Sequence, residues 1–355
     1  MPEKKRRRFL FAAVYSLVVA AFTAYVMLDT FVLESVEQTD ATAQNTSMFD
    51  DIEVKKLTAD SDSSQTEQSK ATLQSNKPSK GKRSRTKSTD DTSSQAENEQ
   101  SSTDTAASSS NGTVGSYSDE NIAVTINEYY ENSTKIYVAD VRLSSAQYLK
   151  TAFAQGKYGK NVKATTSDTA KENDAILAIN GDYYGARETG YVIRNGIAYR
   201  STAESDSDIL CIYADGHFDI ISPDEASADE LVDKGVWQAF TFGPGLVDNG
   251  EITVSQGQEV DQAMASNPRT AIGQIDELHY VFVVSEGRTS DNAGLSLYQL
   301  AQFMKALGCT TAYNLDGGGS STMYFDGEVI NDPTGGGRGS SGGERKVSDI
   351  VYLGY

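Results

Sequence analysis

Histidine and cysteine are nearly absent from this chain, with two of each in 355 residues. His217 and His279 stand apart, as do Cys211 and Cys309, so no zinc-ligand spacing is present. Without a plausible histidine base, a Ser-His-Asp hydrolase has little support. Both cysteines lie in or beside apolar stretches (DILCIY, ALGCTT) and read as small buried hydrophobes rather than a bridge. No G-x-x-x-x-G-K-[ST] sequence occurs, which excludes a nucleotide P-loop despite 30 glycines.

Positive charge is scarce where it would matter for nucleic acid. The net charge is −19, and from Tyr117 onward 34 Asp and Glu face only 17 Lys and Arg. Such a surface repels nucleic acid and anionic lipid, so an anionic ligand needs a local cationic pocket working against the overall field. No nucleic-acid partner is expected.

Long apolar runs are also lacking, with one exception. Phe9 to Leu28 carries no charge and approaches the roughly 20 residues that a helix needs to cross a bilayer. Lys4, Lys5, Arg6, Arg7 and Arg8 precede it, while Asp29, Glu34 and Glu37 follow, so the positive-inside rule puts the remainder of the chain outside the cytoplasm. A cleaved signal peptide has a shorter apolar region of about 7 to 15 residues, and an uncleaved single-pass membrane anchor is the favoured reading.

Between about residues 39 and 116 the chain is Ser, Thr, Gln, Asn, Asp and Lys with almost no large apolar residue, too little to offset its ordering entropy. A coil of roughly 80 residues spans about 50 Å. The expected organisation is a basic tail (1–8), a transmembrane helix (9–28), a disordered linker (29–116) and a folded domain (117–355).

Within the domain, IAVTINEYY and KIYVADVRL read as a hairpin, and DAILAIN as a buried strand. Asn195-Gly196, Asp215-Gly216 and Asn249-Gly250 are hairpin turns between apolar segments. Ser296 caps a helix whose Leu297, Leu300, Ala301, Met304 and Leu307 recur at helical spacing before Gly308. Flanked by strands 280–284 and 311–315, it predicts a β-α-β unit. The fold class is therefore α+β, a mixed β-sheet domain with few helices.

Three segments place polar groups just beyond apolar strands. Asn180-Gly181-Asp182-Tyr183-Tyr184 offers an amide, a carboxylate and two aromatic faces, a surface suited to a sugar, or else a plain turn. Arg269, in NPRTAIG, can fork onto a phosphate or carboxylate, or form a surface ion pair. In NLDGGGSST, Gly317, Gly318 and Gly319 beside Asp316 permit close backbone approach and an anion-binding nest of N–H groups. Gly335 to Gly339 reads as an exposed insertion or a flexible loop at the site mouth.

Together with YVIRNG, FGPGLVDNGE, VSEGRTSDNAGLSLYQLAQFMKALG and the closing ERKVSDIVYLGY, these segments resemble the phosphodiester glycosidase family over roughly residues 117–355. Asp182 departs from the pattern, since many members have glycine after Asn-Gly. The resemblance implies hydrolysis that frees a sugar from a glycosyl phosphodiester, with no required cofactor. It makes Asp316 a base or stabiliser, Arg269 a phosphate clamp, and the Gly317–Ser320 backbone an oxyanion nest. It counts Asp182 with Asp316 and Arg269 among the catalytic residues; Asn180 and Asp182 would orient sugar hydroxyls, Ser321 or Thr322 would add a hydrogen bond, Arg345 would be a second phosphate contact, and Glu286 a reserve acid. Two other readings stay open: a glycan-binding module without catalysis, and a phosphodiesterase using a divalent cation on Asp182, Asp316 and Asp326.

Overall fold

A computed structural model describes residues 3–52, 57, 110–259, 266–335 and 342–355. The chain divides into two compact units; one comprises residues 1–57 and 107–355, and the other, 58–106, lies outside the described residues. Most of the Ser- and Thr-rich segment and residues 336–341 of the glycine-rich run therefore fall outside the description.

The structure is mostly β-sheet, with four α-helices among the described residues, one of them N-terminal to the domain. An eight-stranded sheet runs in the order 251–252, 245–248, 311–315, 269–276, 279–285, 134–143, 122–131, 112–118. Two five-stranded sheets accompany it, ordered 328–329, 323–325, 177–180, 349–353, 149–153 and 218–221, 209–213, 236–240, 192–194, 197–200. Every strand pairing among the described residues is antiparallel. The strands His279–Ser285 and Thr311–Leu315 do run in one direction, but Arg269–Asp276 lies between them and pairs with both. The expected β-α-β unit is thus split by an antiparallel strand.

Side-chain alternation divides the eight-stranded sheet into two faces. In Thr134–Leu143, Tyr137, Ala139 and Val141 join the main core with Leu177, Ile179, Leu210 and Phe240 of the smaller sheets. Ile136 and Val138 face the other way, into a cluster with Leu297, Leu300 and Met304 of helix Leu297–Ala306. That helix begins as its sequence requires: Ser296 Oγ accepts from the Gln299 N–H, and Gln299 Oε1 accepts from the Ser296 N–H. Asn195-Gly196 and Asn249-Gly250 take positive φ at both positions, as two-residue hairpin turns demand. Cys211 and Cys309 are buried free thiols in separate clusters.

The N-terminal helix Glu3–Phe31 contains an 18-residue stretch, Ala13–Thr30, of mean hydropathy 1.6, none of it buried. It has the length and composition of a membrane span or of a signal sequence.

The stretch after this helix departs from expectation. Instead of a linker from residue 29, strand Ser35–Gln38 pairs antiparallel with Tyr158–Lys160. Ala41 is buried, and Phe49 packs edge-on against Trp237 with ring centroids 4.9 Å apart. Leu57 N–H donates to Glu120 O. The domain also begins earlier than residue 117, because Gly112–Ser118 is already a strand at the edge of the large sheet.

Candidate active site

Antiparallel register brings the candidate segments to one end of the sheets. Thr270 faces Leu315 and Ala271 faces Asn314, which brings Arg269, the first residue of its strand, to the same sheet end as Asp316, just beyond its own. Asn180, at the end of Leu177–Asn180, ties these ends together. Its Nδ2 donates to Asp316 O at 2.6 Å, while its Oδ1 accepts from Thr270 Oγ1 at 2.8 Å and Thr322 N–H at 3.3 Å. With no solvent exposure, Asn180 braces the site rather than touching a sugar.

Asp316 is 7% exposed and opens onto a cavity of about 260 Å³. Arg345 Nη2 donates to both of its carboxylate oxygens, at 3.0 and 2.9 Å, and Arg345 Nε donates to Ser320 Oγ at 2.7 Å. Burial raises the Asp316 pKa, and Arg345, Ser320 and the Gly317 N–H oppose that rise.

Four guanidinium groups line this cavity: Arg187, Arg269, Arg288 and Arg345. Tyr183, Phe242 and Asn314 supply aromatic and amide surface. Arg269 is buried, with Nε bonded to Leu295 O at 2.9 Å and Nη2 to Glu259 Oε2 at 2.8 Å. Its charge is partly balanced, so the clamp is shared. Arg288 donates through Nε and Nη2 to Asn267 Oδ1, and its φ of +61° is a strained setting for a non-glycine residue. Burial lowers the Arg288 pKa, and the charge of Arg345 lowers it further.

The glycines meet close-approach requirements. A Cβ on Gly318 would lie 2.9 Å from Arg288 Nη2, and one on Gly317 would lie 2.9 Å from Pro268 O. The expected N–H nest is a different matter. Gly318 N–H donates to Pro268 O, Ser320 N–H to Gly317 O, and the Gly317 N–H serves Asp316. These three donors are occupied inside the protein.

Asp182 is not brought to the cavity. It is 1% exposed and pairs with Arg194 at 2.9 Å, while also accepting from Tyr184 N–H and Thr241 N–H. Arg194 in turn pairs with Asp349 at 2.8 Å. Asp182 belongs to a buried carboxylate–guanidinium–carboxylate cluster, away from the cavity to which the expected catalytic role would bring it. Ser321 and Thr322 are buried outside the cavity lining. Glu286 accepts from Asp332 N–H at 2.6 Å, also outside the lining, and burial pushes its pKa up to about 7. Asp182, Asp316 and Asp326 form no metal-ligating cluster among the described residues. Asp326 occupies a hairpin turn, with φ of +46°.

Sequence reasoning missed Arg187, Arg288 and Asn314 as members of the site. Asn314 Nδ2 is fixed by Gly243 O at 2.8 Å, and its buried Oδ1 has no partner among the described residues. Its place beside Asp316 at a strand end was the available signal.

Residues 173–353 match the model of the phosphodiester glycosidase family. This chain belongs to that family. It is 29% identical over 205 residues to the SPbeta prophage-derived uncharacterized protein YomE of Bacillus subtilis (strain 168), covering 56% of this chain and 31% of that protein. It is 26% identical over 189 residues to the N-acetylglucosamine-1-phosphodiester alpha-N-acetylglucosaminidase of Mus musculus, and over 190 residues to that of Homo sapiens. Those matches cover 48% of this chain and 36% of each enzyme. The chain thus spans about a third of the length of these relatives. The zebrafish enzyme's catalytic domain, described as auto-inhibited by its pro-peptide, superposes with a TM-score of 0.53 at 21% identity, covering 66% of this chain and 83% of that one. This family member shares that fold.

Proposed function

We propose that this chain is a membrane-anchored hydrolase, acting outside the cytoplasm, that frees a sugar from a glycosyl phosphodiester of cell-envelope or exopolysaccharide material. The observation that carries the reading is the cavity itself: four guanidinium groups surround one buried carboxylate in a protein of net charge −19. The relatives named for phosphodiester glycosidase activity support the same bond.

The chemistry fits these groups. Water attacks the sugar C1, the C1–O bond breaks, and its electron pair leaves on a phosphate monoester whose second pKa is about 6. That leaving group needs little protonation but does need its charge stabilised, the part given to Arg288 and Arg345 with Arg187 and Arg269 beside them. Asp316 accepts the water proton or stabilises the developing oxocarbenium ion.

The test is product identification with the full chain and a panel of glycosyl-1-phosphodiesters. Release of free sugar and a phosphate monoester, reduced about a hundredfold or more in Asp316→Asn, is expected. Binding without turnover would select a glycan-binding module instead. Loss of activity with a chelator, restored by a divalent cation, would select metal-dependent phosphodiester cleavage.

A further inference from the structure

The helix Glu3–Phe31 does not end in free chain. Asn161 Nδ2 donates to Thr30 O at 3.1 Å, one of the carbonyls that a helix C-terminus leaves open, and to Leu33 O just beyond the helix at 3.0 Å. Ser35–Gln38 then adds to Tyr158–Lys160 as a two-stranded ribbon. The fit depends on Gly159, since a Cβ there would lie 2.2 Å from Ser35 O. Ala41 N–H donates to Gly156 O, Asn45 N–H to Asn195 O, and Phe49 seats on Trp237. The domain is strapped to its helix.

The strap also places the cavity. Next to Asn161, Lys160 pairs with Glu188 at 2.7 Å, and the neighbouring Arg187 lines the arginine cavity. Two chain steps at 3.8 Å each and two side-chain pairs at about 10 Å each put Arg187, at the cavity edge, on the order of 30 Å from the helix end. A free coil of roughly 80 residues would instead let the site roam about 50 Å.

We infer that the substrate is a glycosyl phosphodiester still embedded in the membrane by its own lipid, cleaved to free sugar and a lipid phosphate monoester. The inference rests on the hydrolase reading and on the helix spanning the membrane. A cavity fixed at the helix exit meets phosphates at the bilayer surface, where a lipid-linked sugar phosphate resides. A detached polymer gains nothing from such fixation.

The test uses the full chain in phosphatidylcholine vesicles with two matched probes, N-acetylglucosamine-1-phospho-diacylglycerol in the bilayer and N-acetylglucosamine-1-phospho-glycerol in solution. Gly159→Val and the milder Phe49→Ala loosen the strap, verified by proteolysis within residues 35–52. Loosening is expected to lower turnover of the embedded probe at least fivefold while that of the soluble probe stays within about twofold. Equal loss on both probes by the folded Phe49→Ala chain, or unchanged turnover of the embedded probe with the strap released, would overturn the inference. Wild-type hydrolysis of the soluble probe alone would overturn it while leaving the hydrolase reading intact. Hydrolysis of neither would refute both.

Discussion

Replacing Arg345 by glutamine separates the two tasks assigned to the cavity. Arg345 Nη2 lies 3.0 and 2.9 Å from the two Asp316 oxygens, and Arg345 is the largest influence opposing the rise that burial imposes on the Asp316 pKa. Arg345→Gln therefore has two effects. Losing one cation from the developing phosphate costs about 3 kcal/mol, or 10²- to 10³-fold in turnover at a pH where Asp316 stays ionised. With Arg345 gone, the Asp316 pKa climbs further, so the acid limb of the rate profile moves to higher pH. Each unit of that movement adds a tenfold loss on the acid side of the limb. The assay is kcat/KM for a glycosyl-1-phosphodiester from pH 4 to 8, in wild type, Arg345→Gln and Arg345→Lys. Lysine keeps the charge and returns the limb toward its wild-type position, though it loses the second contact to Ser320. A uniform loss at every pH, or a loss below about tenfold, would refute the pairing of Asp316 ionisation with Arg345.

Asp182→Asn should act on stability instead. Removing one charge from the Asp182–Arg194–Asp349 cluster leaves a buried guanidinium short of a partner, at a cost of about 3 kcal/mol seen as a lower urea midpoint. A hundredfold loss of turnover with unchanged stability would return Asp182 to the catalytic machinery. Glu286→Gln tests the other buried acid. Its pKa is raised to about 7, so the folded chain binds this proton more tightly than the unfolded chain, and stability falls as pH rises from about 4.5 through 7. Gln keeps an acceptor for the Asp332 N–H without the charge. The variant should unfold at the same temperature as wild type at pH 4 and higher than wild type at pH 8, by up to about 3 kcal/mol. Equal pH dependence in the two chains would overturn that account.

Local chemistry was legible wherever it was self-contained. Ser296 with Gln299 marks the helix start, and Asn195-Gly196 and Asn249-Gly250 fix their turns through backbone conformation alone. Asp316 and Arg269 were legible because each follows or opens an apolar strand, and antiparallel register carries both to one sheet end. What escaped depends on distant partners. Asp182 looks like a surface carboxylate until Arg194, 12 residues on, and Asp349 close around it. The strap is polar in composition and holds chiefly through backbone pairing to Tyr158–Lys160 and a single aromatic, Phe49, which composition cannot distinguish from linker. Arg187 and Arg288 sit in polar loops where a lone arginine gives no sign of direction.

On the proposed phosphodiester hydrolase reading, the acidity of the protein and the arginine cavity serve one selection. Burial and the charge of Arg345 lower the Arg288 pKa, and Asp316, paired with Arg345, answers only one unit of the cavity's positive charge. A neutral glycoside entering the cavity would strip water from these cations without replacing it, an uncompensated desolvation cost. A phosphodiester replaces the lost water with its own anionic oxygens, and its charge grows on those oxygens as C1–O breaks. The interaction is therefore strongest in the transition state, the condition under which binding raises turnover. The surrounding negative surface meanwhile repels anions that cannot reach the cavity. Discrimination is thus placed on the leaving phosphate, leaving Asn314 and the aromatic rim to sort the sugar.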